Sequence, residues 1–77
     1  MPTGNMLKAA RALADLTSVE LARLAKIDAS TVSRMEMSGA RPARGQAGTV
    51  DAVVRALEAK GVVIESDGVR LRKPRRS

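Results

Sequence analysis

The chain has 77 residues, with 14 Lys and Arg against 8 Asp and Glu, and it contains neither His nor Cys. That length allows one modest domain, and the composition excludes a disulfide and an ordinary zinc site. The commonest general base and the strongest nucleophile are both missing, so no catalysis and no cofactor are expected, while a net charge of +6 is the electrostatic footprint of a polyanion binder.

Apolar residues make up 44% of the chain, but Phe, Tyr and Trp are all absent, so the core must be built from Leu, Val, Ile, Met and Ala. A core of this size rarely supplies more than ~3–5 kcal/mol. With covalent and metal staples excluded, oligomerisation remains, and a homodimer is expected. The start lacks the roughly 7–15-residue apolar run of a signal peptide, and no segment approaches the ~20 apolar residues of a membrane span. A cytoplasmic protein with no membrane partner is the expectation.

Met6, Leu7, Ala10, Leu13 and Ala14 fall at helical spacing and predict a first helix over 5–15, with Asn5 at its N-cap. Thr17 followed three residues later by Glu20 forms a capping box and opens a second helix over 18–25, with Leu21, Ala22 and Leu24 on its apolar face. Asp28 is placed to cap a third helix over 29–37, with Val32 and Met35 pointing inward. Only Lys26, Ile27 and Asp28 separate these two helices. Such a connection is too short for a long antiparallel hairpin and suits helices crossing at roughly 90–120°. In a basic chain that arrangement points to DNA.

Between 38 and 48 the periodicity dissolves among three glycines, Pro42, Arg41 and Arg44, and a loop this long tends to be functional or mobile. Thr49 is expected to cap a fourth helix over 50–60, with Val50, Val53, Val54 and Leu57 as its stripe and Gly61 closing it. The period then changes to two. Asp67-Gly68 between 62–65 and 69–72 predicts a hairpin pairing Ser66 with Val69, Glu65 with Arg70, and Ile64 with Leu71. Glu65 opposite Arg70 is a favourable charge pair, and Ile64, Val69 and Leu71 would share a face. The expected fold is mainly α: one domain over 1–72 made of four helices and a C-terminal β-hairpin, then a basic, disordered tail over 73–77.

Thr17-Ser18-Val19-Glu20-Leu21-Ala22, four further residues, Ile27-Asp28, and then Thr31-Val32-Ser33-Arg34-Met35-Glu36 resemble the Cro/Xre, or phage-repressor, type of helix-turn-helix transcriptional regulator. The resemblance spans about residues 5–60 and is densest over 17–36. Its pattern has physical content: Ala22 is small where the two helices touch, and Ile27 and Val32 fill the wedge between them. Two positions depart from the pattern. Lys26 stands where the family has Gly, in a turn where φ is often positive and a side chain costs roughly 1 kcal/mol. Ser18 replaces a Gln that in relatives buttresses the DNA contact, which weakens that role.

The resemblance implies that the third helix enters the major groove of double-stranded DNA. Ala29, Ser30, Ser33 and Arg34 then face the bases. Arg34 is the one long base reader among them, suited to guanine O6 and N7, a contact worth about 1–3 kcal/mol of discrimination. Ala29 is placed for a thymine methyl, and Ser18 and Thr31 for phosphates, Ser18 aided by the positive start of its helix. Relatives also place phosphate contacts in the loop that follows, here Arg41 and Arg44, where the alternative is a solvated mobile loop. Arg11 and Glu36 occupy positions that in relatives form an ion pair between the first and third helices, which assigns Arg11 to the scaffold. For Ser30, Ser33 and Arg34 the plain alternative is solvent-facing helix. The hairpin either pairs across a two-fold axis or merely covers the core. The Arg75-Arg76 tail follows the backbone, enters a minor groove, or has no role.

The resemblance therefore implies a dimeric repressor on a short inverted repeat, working in a bacterial cytosol or nucleoid and, by analogy, in phage or mobile-element control. An antitoxin subunit with an unknown protein partner is the alternative on the same fold. A structural RNA or nucleoid protein is the third, weakened by the lack of aromatic residues for base stacking.

Overall fold

The computed structural model describes residues 2–43 and 45–72. Arg44 and the tail over 73–77 lie outside the described residues. Four helices, α1 (Gly4–Leu13), α2 (Ser18–Ala25), α3 (Ala29–Glu36) and α4 (Ala47–Ala59), precede two strands, β1 (Val62–Glu65) and β2 (Gly68–Leu71). The expected mainly α fold with a C-terminal hairpin is the observed one. No helix among the described residues is long and apolar enough to cross a membrane.

Each helix contributes two or three residues to one aliphatic core. Leu7 and Ala10 come from α1, Leu21 and Ala22 from α2, Val32 and Met35 from α3, and Val50, Val53 and Leu57 from α4, with Val62 of β1 closing the cluster. Two expected core positions lie at its margin. Leu13 and Leu24 are 39% and 46% exposed. In α2 the inward face centres on Leu21, Ala22 and Ala25, and helical geometry puts Leu24 on its flank.

The start of α1 differs from the expected one. Thr3 caps it in place of Asn5, its Oγ1 accepting the Met6 N–H at 3.0 Å. The next two amides have partners beyond α3: Gly4 N–H donates to the Arg41 carbonyl at 3.2 Å and Asn5 N–H to the Gly39 carbonyl at 2.9 Å. Helix-start donors have no intrahelical acceptor, and here the chain after α3 supplies one. Ala43 N–H to the Pro2 carbonyl at 2.9 Å extends the seam. Gly4 permits this approach, because a Cβ there would lie 2.6 Å from the Met35 carbonyl oxygen and 2.7 Å from that of Glu36. The helix ends at Leu13, earlier than expected, because Asp15 turns left-handed at φ +60°. Asp15 N–H then reaches the Ala12 carbonyl and Leu16 N–H that of Arg11, the two bonds of a Schellman turn.

Helix α4 begins at Ala47, ahead of the expected cap Thr49, and no side chain caps it. Gly45 makes the turn into it at φ +138°, packed against Met35 and Val50, so Thr49 falls inside the first turn. Gly61 leaves α4 at φ +89°, as expected for a closing glycine.

The hairpin register also differs. Val62 pairs with Leu71, Val63 with Arg70, Ile64 with Val69 and Glu65 with Gly68, so Ser66-Asp67 form the turn. Neither turn residue takes a positive φ. The expected register would have left Val62 opposite residue 73; the observed one pairs this fully buried valine with Leu71. The slip is even, so it leaves every side chain on its own face. Ile64, Val69 and Leu71 still pack together against the core, and Arg70 still meets Glu65, diagonally, at 3.5 Å.

Candidate nucleic-acid interface

Helix α2 starts on a complete capping box. Thr17 N–H donates to Glu20 Oε1 at 2.8 Å, and Glu20 N–H donates to Thr17 Oγ1 at 3.1 Å. The bond to the Thr17 amide favours the ionised carboxylate and holds the Glu20 pKa below its ordinary value. At the other end Lys26 takes φ +60° and ψ +45°, the left-handed turn that the resemblance implied. Ile27 N–H then reaches back to the Ala22 carbonyl at 2.9 Å, and the buried Ala22 lets α3 pack closely on α2.

Helix α3 is divided lengthwise. Val32 and Met35 are each 1% exposed and hold it in the core, whereas Ser30, Ser33, Arg34 and Met37 are exposed. Those four fall at the i, i+3, i+4, i+7 spacing that gathers side chains on one helical stripe. Arg34 has no hydrogen-bond or ion-pair partner among the described residues.

The expected site residues separate into three groups. Ser30, Ser33 and Arg34 come together on the exposed stripe. Ala29, Thr31 and Ser18 are half-buried, and Ala29 also packs against the core edge. Arg41 is exposed beyond the end of α3, and its backbone is fixed by the bond from Gly4 and by its own N–H to the Ser38 carbonyl at 3.1 Å. Arg44 is outside the described residues.

Two features were not foreseen. Met37 is 82% exposed and prolongs the stripe, a position that the 30–33–34 spacing already indicates. Asp28 occupies the N-cap position of α3 without capping it. Its Oδ2 accepts the Ser30 hydroxyl at 2.6 Å instead, a length typical of a charge-assisted bond, which is stronger than a neutral one. The Ser30 proton is therefore committed, and its oxygen presents only lone pairs outward.

Arg11 is scaffold. Its Nε and Nη2 donate to Glu36 Oε2 and Oε1 at 2.7 and 3.0 Å, and Nη1 donates to the Leu16 carbonyl at 3.1 Å. Hydrogen bonding to Glu36 raises the Arg11 pKa above its ordinary value, against the opposing effect of burial. The fork ties α1 to the last residue of α3 and to the α1–α2 turn. Among the described residues no group of three or more acidic side chains is placed to hold a metal ion. No family model matches the chain, and no curated protein is significantly similar to it.

Proposed function

We propose that the chain is a sequence-specific, double-stranded-DNA-binding transcriptional regulator, a repressor that acts as a homodimer on a short inverted repeat in the cytoplasm. The observation that carries this reading is the outer stripe of α3. It presents two hydroxyls and one guanidinium that has no partner among the described residues, while Val32 and Met35 anchor the opposite side. A helix held that way, crossing a partner after a three-residue turn, suits the major groove.

In this reading Arg34 takes guanine O6 and N7, Ser30 and Ser33 add bonds to base edges, and Ala29 offers its methyl to thymine. Ser18, Thr31, Arg41 and Arg44 bind phosphates, which position the protein without reading sequence. The dimer is supported by the free outer edge of β2, which pairs with no further strand among the described residues. An unpaired edge is a template for pairing across a two-fold axis.

The test compares Arg34→Ala with Arg41→Ala on selected operator and on random DNA at two salt concentrations. Arg34→Ala should lose about 1–3 kcal/mol on the operator and much less on random DNA. Arg41→Ala should weaken both alike and lower the salt slope by about 0.9, the share of a single neutralised phosphate. Equal, sequence-blind losses from both would overturn the docking of α3.

A further inference from the structure

Of the three carboxylates in the unit from α2 through α3, two have structural duties. Glu20 closes the capping box, and Glu36 holds Arg11. Asp28 has neither. It makes no cap bond and no ion pair among the described residues, and its one hydrogen bond is the Ser30 hydroxyl on Oδ2. Its second oxygen has no partner among the described residues, and both side chains are exposed. A free carboxylate beside the reading stripe of a polyanion binder is repelled by phosphate, so it lowers general affinity for DNA.

The chemistry it offers in return is specific. With the Ser30 proton turned to Asp28, the pair presents acceptors and no donor. In the major groove, guanine N7 and O6 and thymine O4 are themselves acceptors and repel such a pair. Cytosine N4 is a donor with no acceptor beside it. Adenine N6 is also a donor, but N7 stands next to it, so a carboxylate matches adenine less well than cytosine.

Resting on the docking of α3 proposed above, we propose that Asp28, oriented by Ser30, is a specificity-determining residue that selects cytosine. Asp28 lies six residues before Arg34, and six residues rise about 9 Å. That is roughly two to three base-pair steps of about 3.4 Å. The cytosine therefore lies about two to three steps from the guanine taken by Arg34. Ser30 also has a positioning role: it holds the carboxylate and keeps the pair's proton away from the base, so its own base contact is made through an oxygen lone pair.

The experiment starts from the full chain and an operator obtained by selection on random duplexes, then measures binding to all four bases at every position. Asp28→Ala should reduce a cytosine preference of at least about fivefold to less than about twofold at one position. The same variant should bind random DNA more tightly, because a repelled charge is gone. Asp28→Asn, nearly isosteric, should move the preference to adenine, whose N6 and N7 suit an amide. Ser30→Ala should weaken the cytosine preference without tightening binding to random DNA, a split that loss of folding would not produce. If Arg34→Ala relaxes a guanine position while Asp28→Ala and Asp28→Asn change no base preference, this inference fails and the docking stands. If Arg34→Ala is also sequence-blind, both fail.

Discussion

At the front of α2 the amides of Thr17 and Glu20 are satisfied within four residues, each side chain serving the other's backbone. At the front of α1 Thr3 caps the Met6 amide in the same local way, but the amides of Gly4 and Asn5 are satisfied by carbonyls of Arg41 and Gly39, on the far side of α3 in sequence. The first arrangement is local, and it leaves neighbouring side chains without structural work. The second is a seam that makes α1 responsible for where the chain goes after α3. In the proposed complex, the position of Arg41 against phosphate is thus controlled from the N-terminus, whereas the base-reading stripe is set by α2, α3 and the turn between them.

The Arg11–Glu36 fork crosses between the two regions, and breaking it gives the largest expected effect. Arg11→Ala leaves a carboxylate whose side chain is 9% exposed without its cation. The loss should be about 3 kcal/mol in urea unfolding, the low end for a buried pair, because the Arg11 side chain keeps 21% of its exposure. Combining it with Glu36→Leu should recover part of that loss and no more, since the Leu16 carbonyl still lacks its donor.

Gly4→Ala attacks the seam itself. The added methyl meets backbone oxygens of Met35 and Glu36, which cannot rotate away, so stability should fall by about 1–3 kcal/mol, as for other overpacked sites. The same change should weaken binding to operator and random DNA through Arg41 and also lower the preference for operator, because the oxygens it strikes belong to the last turn of α3 beside Arg34. A variant that unfolds at the wild-type urea midpoint would show that the seam contributes nothing.

Lys26→Gly sharpens the contrast from the local side. The left-handed turn at φ +60° strains a residue with a side chain, and glycine relieves that strain. The variant should be more stable by about 1 kcal/mol in the same assay. A loss of stability would mean that the turn is held by contacts of the lysine side chain.

The smallest effect concerns Glu20. Its pKa is lower in the folded chain than its ordinary value, so its contribution is present at neutral pH and lost as pH falls through the depressed value. Glu20→Gln should therefore melt slightly below wild type at neutral pH, and the gap should close on acidification through that depressed value. A gap of constant size would show that the charge on Glu20 is irrelevant to the cap.

Residues 17–37 were the most legible part of the chain because each of their signals acts over three or four positions. The capping box and the inward pair Val32 and Met35 are readable from local spacing, while the left-handed turn at Lys26 was implied by the resemblance. Asp28 shows the limit of such reading. A carboxylate two residues from a hydroxyl and next to free amides has two local partners available, and only the folded chain shows that it took the hydroxyl.

The amino-acid sequence by itself determined the number of helices, the boundaries of α2, the faces of α3 and the hairpin, and the charge of the surface, since these follow from local geometry and composition. Only the tertiary structure decided that Thr3 and not Asn5 starts α1, that Gly4 sits against α3, that α4 begins at Ala47, and that Val62 pairs with Leu71. Thr3 caps Met6 locally, but the partners that fix the rest are distant in sequence: carbonyls beyond α3 for the Gly4 and Asn5 amides, the Met35 and Val50 side chains around Gly45, or a buried valine that one register pairs and the other does not. A local pattern offers several ends for a helix and several registers for a hairpin. The backbone groups and apolar surfaces that must be satisfied together across the chain select among them.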